Sequence, residues 1–154
     1  MYRVNISALN LMSVCVNGFQ DGGLVGSVYH KYSREGMNFR NVFELLQHME
    51  YVMDYCRYPQ SSTRTRAFGE NTIQYQEKKK VEMVVNADEI MEKSGELATF
   101  VIHVKYRQNS TWQGDIFWTE KQEKRNFRSA LELLKLIDGA LDQTEDEELD
   151  KEEE

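Results

Sequence analysis

The chain carries a single proline, Pro59, and only two cysteines, Cys15 and Cys56. Two cysteines form neither a disulfide framework nor a CxxC pair, which sets aside crosslink-dependent secreted scaffolds and paired-thiol motifs. No run of about eighteen apolar residues occurs, the length a helix needs to cross a bilayer, and the opening Met1–Ile6 has no apolar core of signal-peptide type. The expectation is a cytoplasmic, reducing setting without a membrane partner. Sequence signatures of catalysis are equally scarce. There is no Gly-x-Ser-x-Gly, no glycine-rich phosphate loop and no His-Glu-x-x-His, and Gly22-Gly23 beside Asp21 reads as a hairpin turn. The histidines, His30, His48 and His103, lack the short pair spacings through which zinc gathers three or four ligands. The sequence therefore predicts no enzyme, no metal and no cofactor.

Charge of one sign is also missing from most of the chain. Residues 1–58 carry five basic and five acidic side chains, residues 59–95 six and six, and residues 96–142 seven and seven. The last twelve residues carry one lysine against eight acids, which is the whole of the net charge of −7. Such a run repels itself and predicts a disordered acidic tail over 143–154. The balanced body argues against a broadly basic nucleic-acid footprint.

What is present is a repeat. Displaced by 88 positions, Ser13–Asp54 aligns without a gap on Val101–Asp142, with eleven identities in 42 columns. They include Val16/Val104, Gly26/Gly114, Asn38-Phe39-Arg40 on Asn126-Phe127-Arg128, and Glu44-Leu45-Leu46 on Glu132-Leu133-Leu134. A repeat of this length implies that each copy is one supersecondary unit needing its partner to bury an apolar face.

The second copy is the easier to read. Thr99–Tyr106 alternates as a strand with Phe100, Ile102, Val104 and Tyr106 on one side, Gln108–Thr111 is a polar turn, and Trp112–Glu120 is the returning strand with Trp112, Ile116 and Trp118 sharing a face. Gly114 lies inside that strand as Gly26 does in the first copy, pointing to a bulge or a close backbone approach. A charged turn over Lys121–Arg125 leads into a helix. Ser129-Ala-Leu-Glu132 fits a capping box, and Asn41-Val-Phe-Glu44 supplies its counterpart. Apolar residues follow at helical spacing: Ala130, Leu133, Leu134, Ile137 and Leu141, matched by Val42, Leu45, Leu46, Met49 and Met53. Phe39 and Phe127 are placed to pin each helix to its own hairpin.

These elements predict an α+β fold. Its core is a tandem strand–strand–helix repeat, with an antiparallel sheet of at least four strands and both helices on one face around a pseudo-twofold axis. Residues 1–58 form the first unit, 59–95 a polar linker, 96–142 the second unit and 143–154 the tail. Met1–Asn10 alternates well enough to add a strand. In the linker, Thr72–Tyr75 and Val81–Val85 read as short strands and Ala87–Lys93 as a helical turn or two, with mobile stretches between them.

The second copy resembles a module of small bacterial proteins in which a Trp-x-Gly strand precedes a helix opening Phe-Arg-Ser-x-x-Glu-Leu-Leu. The matching residues are Trp112, Gly114, Phe127, Arg128, Ser129, Glu132, Leu133 and Leu134. The resemblance covers about forty residues per copy and implies a scaffold without a reaction or ligand. The first copy departs from it at Leu24 and Asn41. In layout alone, the doubled unit of strands and a helix is similar to the PUR and Whirly single-strand nucleic-acid binders.

The functional reading that follows is a non-enzymatic protein-interaction or structural module, compatible with a homodimer. Tyr51, Tyr55 and Tyr58 crowd the end of the first helix, and a cluster of exposed apolar groups marks a contact surface. The alternative is single-strand nucleic-acid binding through the second hairpin, where Lys105, Arg107, Trp112, Phe117 and Trp118 put aromatics beside positive charge, with Lys78, Lys79 and Lys80 as added basic residues. Asn41, Glu44, Ser129, Glu132, Gly26 and Gly114 are read as structural.

Overall fold

A computed structural model describes residues 4–60, 81–107 and 111–152. The chain forms β1 (Met12–Gln20), β2 (Gly23–His30), β3 (Ser33–Phe39), α1 (Val42–Cys56), α2 (Ala87–Met91), β4 (Ala98–Tyr106), β5 (Gln113–Trp118), β6 (Glu123–Phe127) and α3 (Ala130–Glu152). Six strands make one antiparallel sheet in the order β3-β2-β1-β4-β5-β6. The fold is α+β.

Each half has three strands before its helix, one more than the sequence predicts. The extra strands, β3 and β6, are the sheet edges, and β6 occupies residues expected to form a charged turn. Edge strands with solvent on one side and along one margin need only one anchor, here Phe39 and Phe127, both almost fully buried. Apart from Gly36 and the half-buried Met37, which packs against the same core, their remaining residues are polar, which hides the strand signal and also guards the edges against pairing with other chains.

One face of the sheet packs under α1 and α3. Met12, Val14 and Val16 of β1 and Phe100, Ile102 and Val104 of β4 lie at its centre, beneath Leu45, Met49, Val52 and Met53 of α1 and Leu133, Ile137, Ala140 and Leu141 of α3. Asn41 caps α1 by accepting from the Glu44 N–H at 2.8 Å, and the Ser129 hydroxyl accepts from the Glu132 N–H at 3.0 Å. Glu44 reaches back to the Arg40 N–H and pairs with the Arg40 guanidinium at 2.8 Å. Gly26 and Gly114 are close-approach sites. A Cβ on Gly26 would strike the Cys15 carbonyl oxygen of β1, and one on Gly114 the His103 carbonyl oxygen of β4.

The opposite face is covered by residues 4–11, which run as turns rather than as the expected extra strand, and by α2. Ala8, Leu11, Val85 and Ile90 bury Val101 and Phe117 there. Lys31 ties both coverings to the β2–β3 turn. Its ammonium donates to the carbonyls of Ile6 (2.8 Å) and Ala8 (2.9 Å), and its own carbonyl accepts from the N–H groups of Val84 and Val85. Burial pushes the Lys31 amine below its ordinary value. Residues 81–85 form no strand, against the expectation for Val81–Val85, and α2 matches the helical turn expected over Ala87–Lys93. Thr72–Tyr75, Lys78–Lys80 and most of the Gln108–Thr111 turn lie outside the described residues.

Two further expectations change. A register shift between Val104 and Tyr106 turns Tyr106 outward to 53 % exposure, although alternation puts it in line with Phe100, Ile102 and Val104. Such a bulge inserts one unpaired residue and reverses the facing beyond it. The acidic run expected to be disordered instead continues α3 to Glu152. A helix already nucleated over a packed core extends at little cost per residue, and Lys121 anchors the extension through Glu147 at 2.7 Å.

Candidate functional site

The five residues singled out on the second hairpin do not share a surface. Phe117 is buried under the N-terminal turns, while Trp118 is buried beneath α3 and Trp112 packs against the helix-side core. Arg107 is buried too, with its guanidinium donating to Asp54 at 2.6 Å and to the Pro59 carbonyl at 2.7 Å. Only Lys105 keeps substantial exposure, and it pairs with Asp115 at 2.8 Å. The alternation that made the hairpin look aromatic and basic serves the two core layers, one on each side of the sheet.

Exposed aromatic surface lies instead on α1. Phe43 is 68 % exposed, Tyr51 55 % and Tyr55 41 %, and their spacing of eight and four residues puts all three on one side of the helix. Tyr51 and Tyr55 stack with ring centroids 5.9 Å apart, and Tyr55 lies 5.5 Å from Tyr32. The Tyr32 hydroxyl donates to the Leu9 carbonyl at 2.7 Å, which fixes the inner end of this stack. Burial, with Cys56 alongside, raises the Tyr32 phenol above its ordinary value. Tyr58, beyond the helix end, is partly exposed and has its ring contact with His103 rather than with this row. The crowding of Tyr51, Tyr55 and Tyr58 is legible in the sequence; the contribution of Phe43 and Tyr32 comes from the helix phase and from the β2–β3 turn.

A second feature lies on the other face of the sheet, where a cleft of about 180 Å³ opens between residues 4–5 and strands β4 to β6. His103 and Asp115, each 8 % exposed, are directly paired across β4 and β5 and line it. The Asp115 carboxylate takes Lys105 at 2.8 Å and Lys124 of β6 at 3.4 Å. His103 stacks near Tyr58 at 6.5 Å, and its buried Nε2 has no hydrogen-bond partner among the described residues. Burial holds the His103 imidazole below its ordinary pKa, Lys105 pushes in the same direction, and Asp115 opposes them.

Cys15, the counterpart of His103 in the repeat, pairs with Thr99 in the shared β1–β4 ladder, four residues along β4 from His103. Among the described residues no group of three His, Cys, Asp or Glu side chains converges as a metal site would require, and no helix is long and apolar enough to cross a membrane. Comparison with family models, with curated proteins and with solved structures finds no match to this chain.

Proposed function

We propose that this protein is a non-catalytic binding module that engages another protein through the outer face of α1. The observation that carries the reading is the row Phe43, Tyr51 and Tyr55, three large side chains on one helix side with two of them stacked on each other. Tyrosine and phenylalanine give large contact area for little loss of side-chain freedom, and a stacked pair has already lost much of that freedom. Other routes to assembly are less favoured. The sheet edges present Arg34 and Glu35 on β3 and Glu123, Lys124 and Arg125 on β6, which oppose strand addition. Nucleic-acid binding through the second hairpin loses its stacking platform, since Phe117 and Trp118 are interior.

The same reading takes the chain as a duplicated βββα unit with a pseudo-twofold axis between β1 and β4. The ladder supports this: at the 88-residue offset the pairs Met12↔Ile102 and Val14↔Phe100 exchange with one another. Both cysteines are free, in keeping with a cytoplasmic protein.

The test is a photo-crosslinking side chain at position 51, with the double substitution Phe43→Ser, Tyr55→Ser in the same crosslinker-bearing chain as its control. One defined protein should be captured, insensitive to nuclease and lost in the double variant, whose circular dichroism matches the parent. Capture of a second copy identifies a homodimer by the same face. Capture of nothing, or equal capture by the double variant, refutes the reading. Salt-dependent retention on a single-stranded oligonucleotide with no protein captured would transfer it to nucleic acid.

A further inference from the structure

The cleft holding His103 is charged in one half of the molecule only. At the 88-residue offset His103, Lys105, Asp115 and Lys124 stand where the first half has Cys15, Asn17, Ser27 and Gly36. The same strands pair in the same way in both halves, down to a register shift after Val16 and after Val104. The sheet therefore forms without charged side chains at these positions. A buried carboxylate and a buried, unpaired imidazole nitrogen both cost stability unless something satisfies them. Lys105 and Lys124 satisfy Asp115. His103 Nε2 has no partner among the described residues, in a class of atoms that is nearly always paired.

We propose that this cleft binds a small organic anion bearing a carboxylate or phosphate group. Lys105 and Lys124 supply the charge, since two ammonium groups share one carboxylate and leave one positive charge uncompensated. His103 lines the cleft beside the lysines, so its ring reports on what binds there, and Asp115 is a positioning residue that holds both lysines over the opening. Val101 and Phe117 give the cleft an apolar wall suited to a short carbon skeleton. Its volume of about 180 Å³ corresponds to about six water molecules. That room fits a small metabolite. The site is on the opposite face of the sheet from α1, so it stands or falls independently of the docking surface proposed there.

The experiment follows the imidazole proton resonances of the full chain by NMR while inorganic phosphate or butyrate is added at constant ionic strength. The His103 signal should move and saturate with at least one of the two, while His30 and His48 stay in place. Lys105→Gln and Lys124→Gln should each weaken that binding by about tenfold, the loss of one charge-assisted contact. Preference for phosphate or for butyrate distinguishes the two headgroups. A His103 signal that stays still with both anions overturns the proposal. So does a shift that fails to saturate, or one that is unchanged in the two lysine variants despite native circular dichroism.

Discussion

Replacing Gly114 by alanine should destabilise the protein, although glycine-to-alanine changes inside regular structure commonly do the reverse. Removing a glycine narrows the unfolded ensemble and is worth about 0.4–1 kcal/mol where the native backbone accepts a side chain. The Gly114 backbone angles are ordinary for a strand, and the obstacle is space. Its Cβ would strike the His103 carbonyl oxygen and come within 2.9 Å of the Val104 Cα. Neither atom can retreat, because β4 is held by β5 on one side and by β1 on the other. Gly26 faces the same obstacle, the Cys15 carbonyl oxygen, with the Phe39 ring at 2.8 Å as a second. Forcing extra volume into a packed interior costs about 1–3 kcal/mol, so the steric term wins at both sites. The assay is urea and thermal unfolding followed by far-ultraviolet circular dichroism, where each kcal/mol moves the midpoint of a chain this size by about 2–4 °C. Gly139→Ala is the internal control. It lies in α3 with no atom within 4 Å of its would-be Cβ, and helix propensity predicts a gain of about 0.8–1 kcal/mol. A Gly114→Ala protein as stable as the parent, or one no less stable than Gly139→Ala, would refute the close-approach argument.

Acidification should weaken the fold through two histidines. His30 and His103 are buried, and burial lowers both below the ordinary value of 6.5. The unfolded chain therefore takes up protons first; the stability they contribute is complete above pH 6.5 and drains away as pH falls through that value toward the lower folded ones. The groups facing His103 are Lys105, Asp115, Lys124 and the Tyr58 ring, while His30 accepts from the Tyr32 N–H at 3.1 Å. Urea midpoints should drop between about pH 7.5 and 5.5, and His30→Gln with His103→Gln should flatten that slope; an unaltered slope would count against it. Deleting residues 143–154 should remove helical ellipticity but at most about 1 kcal/mol of stability, since no buried side chain lies beyond Leu141 and the Lys121–Glu147 pair is partly solvated. A loss of several kcal/mol would mean that the acidic extension packs on the body.

Local signals in the chain led to the parts of the fold that depend on local physics. Asn41 and Ser129 announce helix starts because a cap needs only the next three residues, and Phe100, Ile102 and Val104 announce a strand because alternation is a property of neighbours. Elements with few apolar anchors, β3 and β6, are silent in the sequence, since a mostly polar edge strand is indistinguishable from a charged turn until its ladder partner is known. The same limit applies to Met1–Asn10. Val4, Ala8 and Leu11 are apolar for a reason, but they serve as a cover over Val101 and Phe117 rather than as a strand. The candidate surfaces divide likewise. The tyrosines at the end of α1 are visible as a cluster, whereas the aromatics of the second hairpin are visible but misassigned, because alternation cannot say whether the far face of a sheet meets water or a second layer.

The amino-acid order by itself determined two similar halves, the positions of their helix caps, the glycines where strands crowd, and the absence of any familiar catalytic motif. Tertiary structure alone decided that the sheet has six strands, that both its faces are covered, and that a bulge turns Tyr106 to solvent. It also brought His103, Asp115, Lys105 and Lys124 from three strands to one cleft. The physical reason is range: capping, helical spacing and strand alternation act across a few residues, while ladder partners, face coverage and charge convergence depend on segments far apart in the chain.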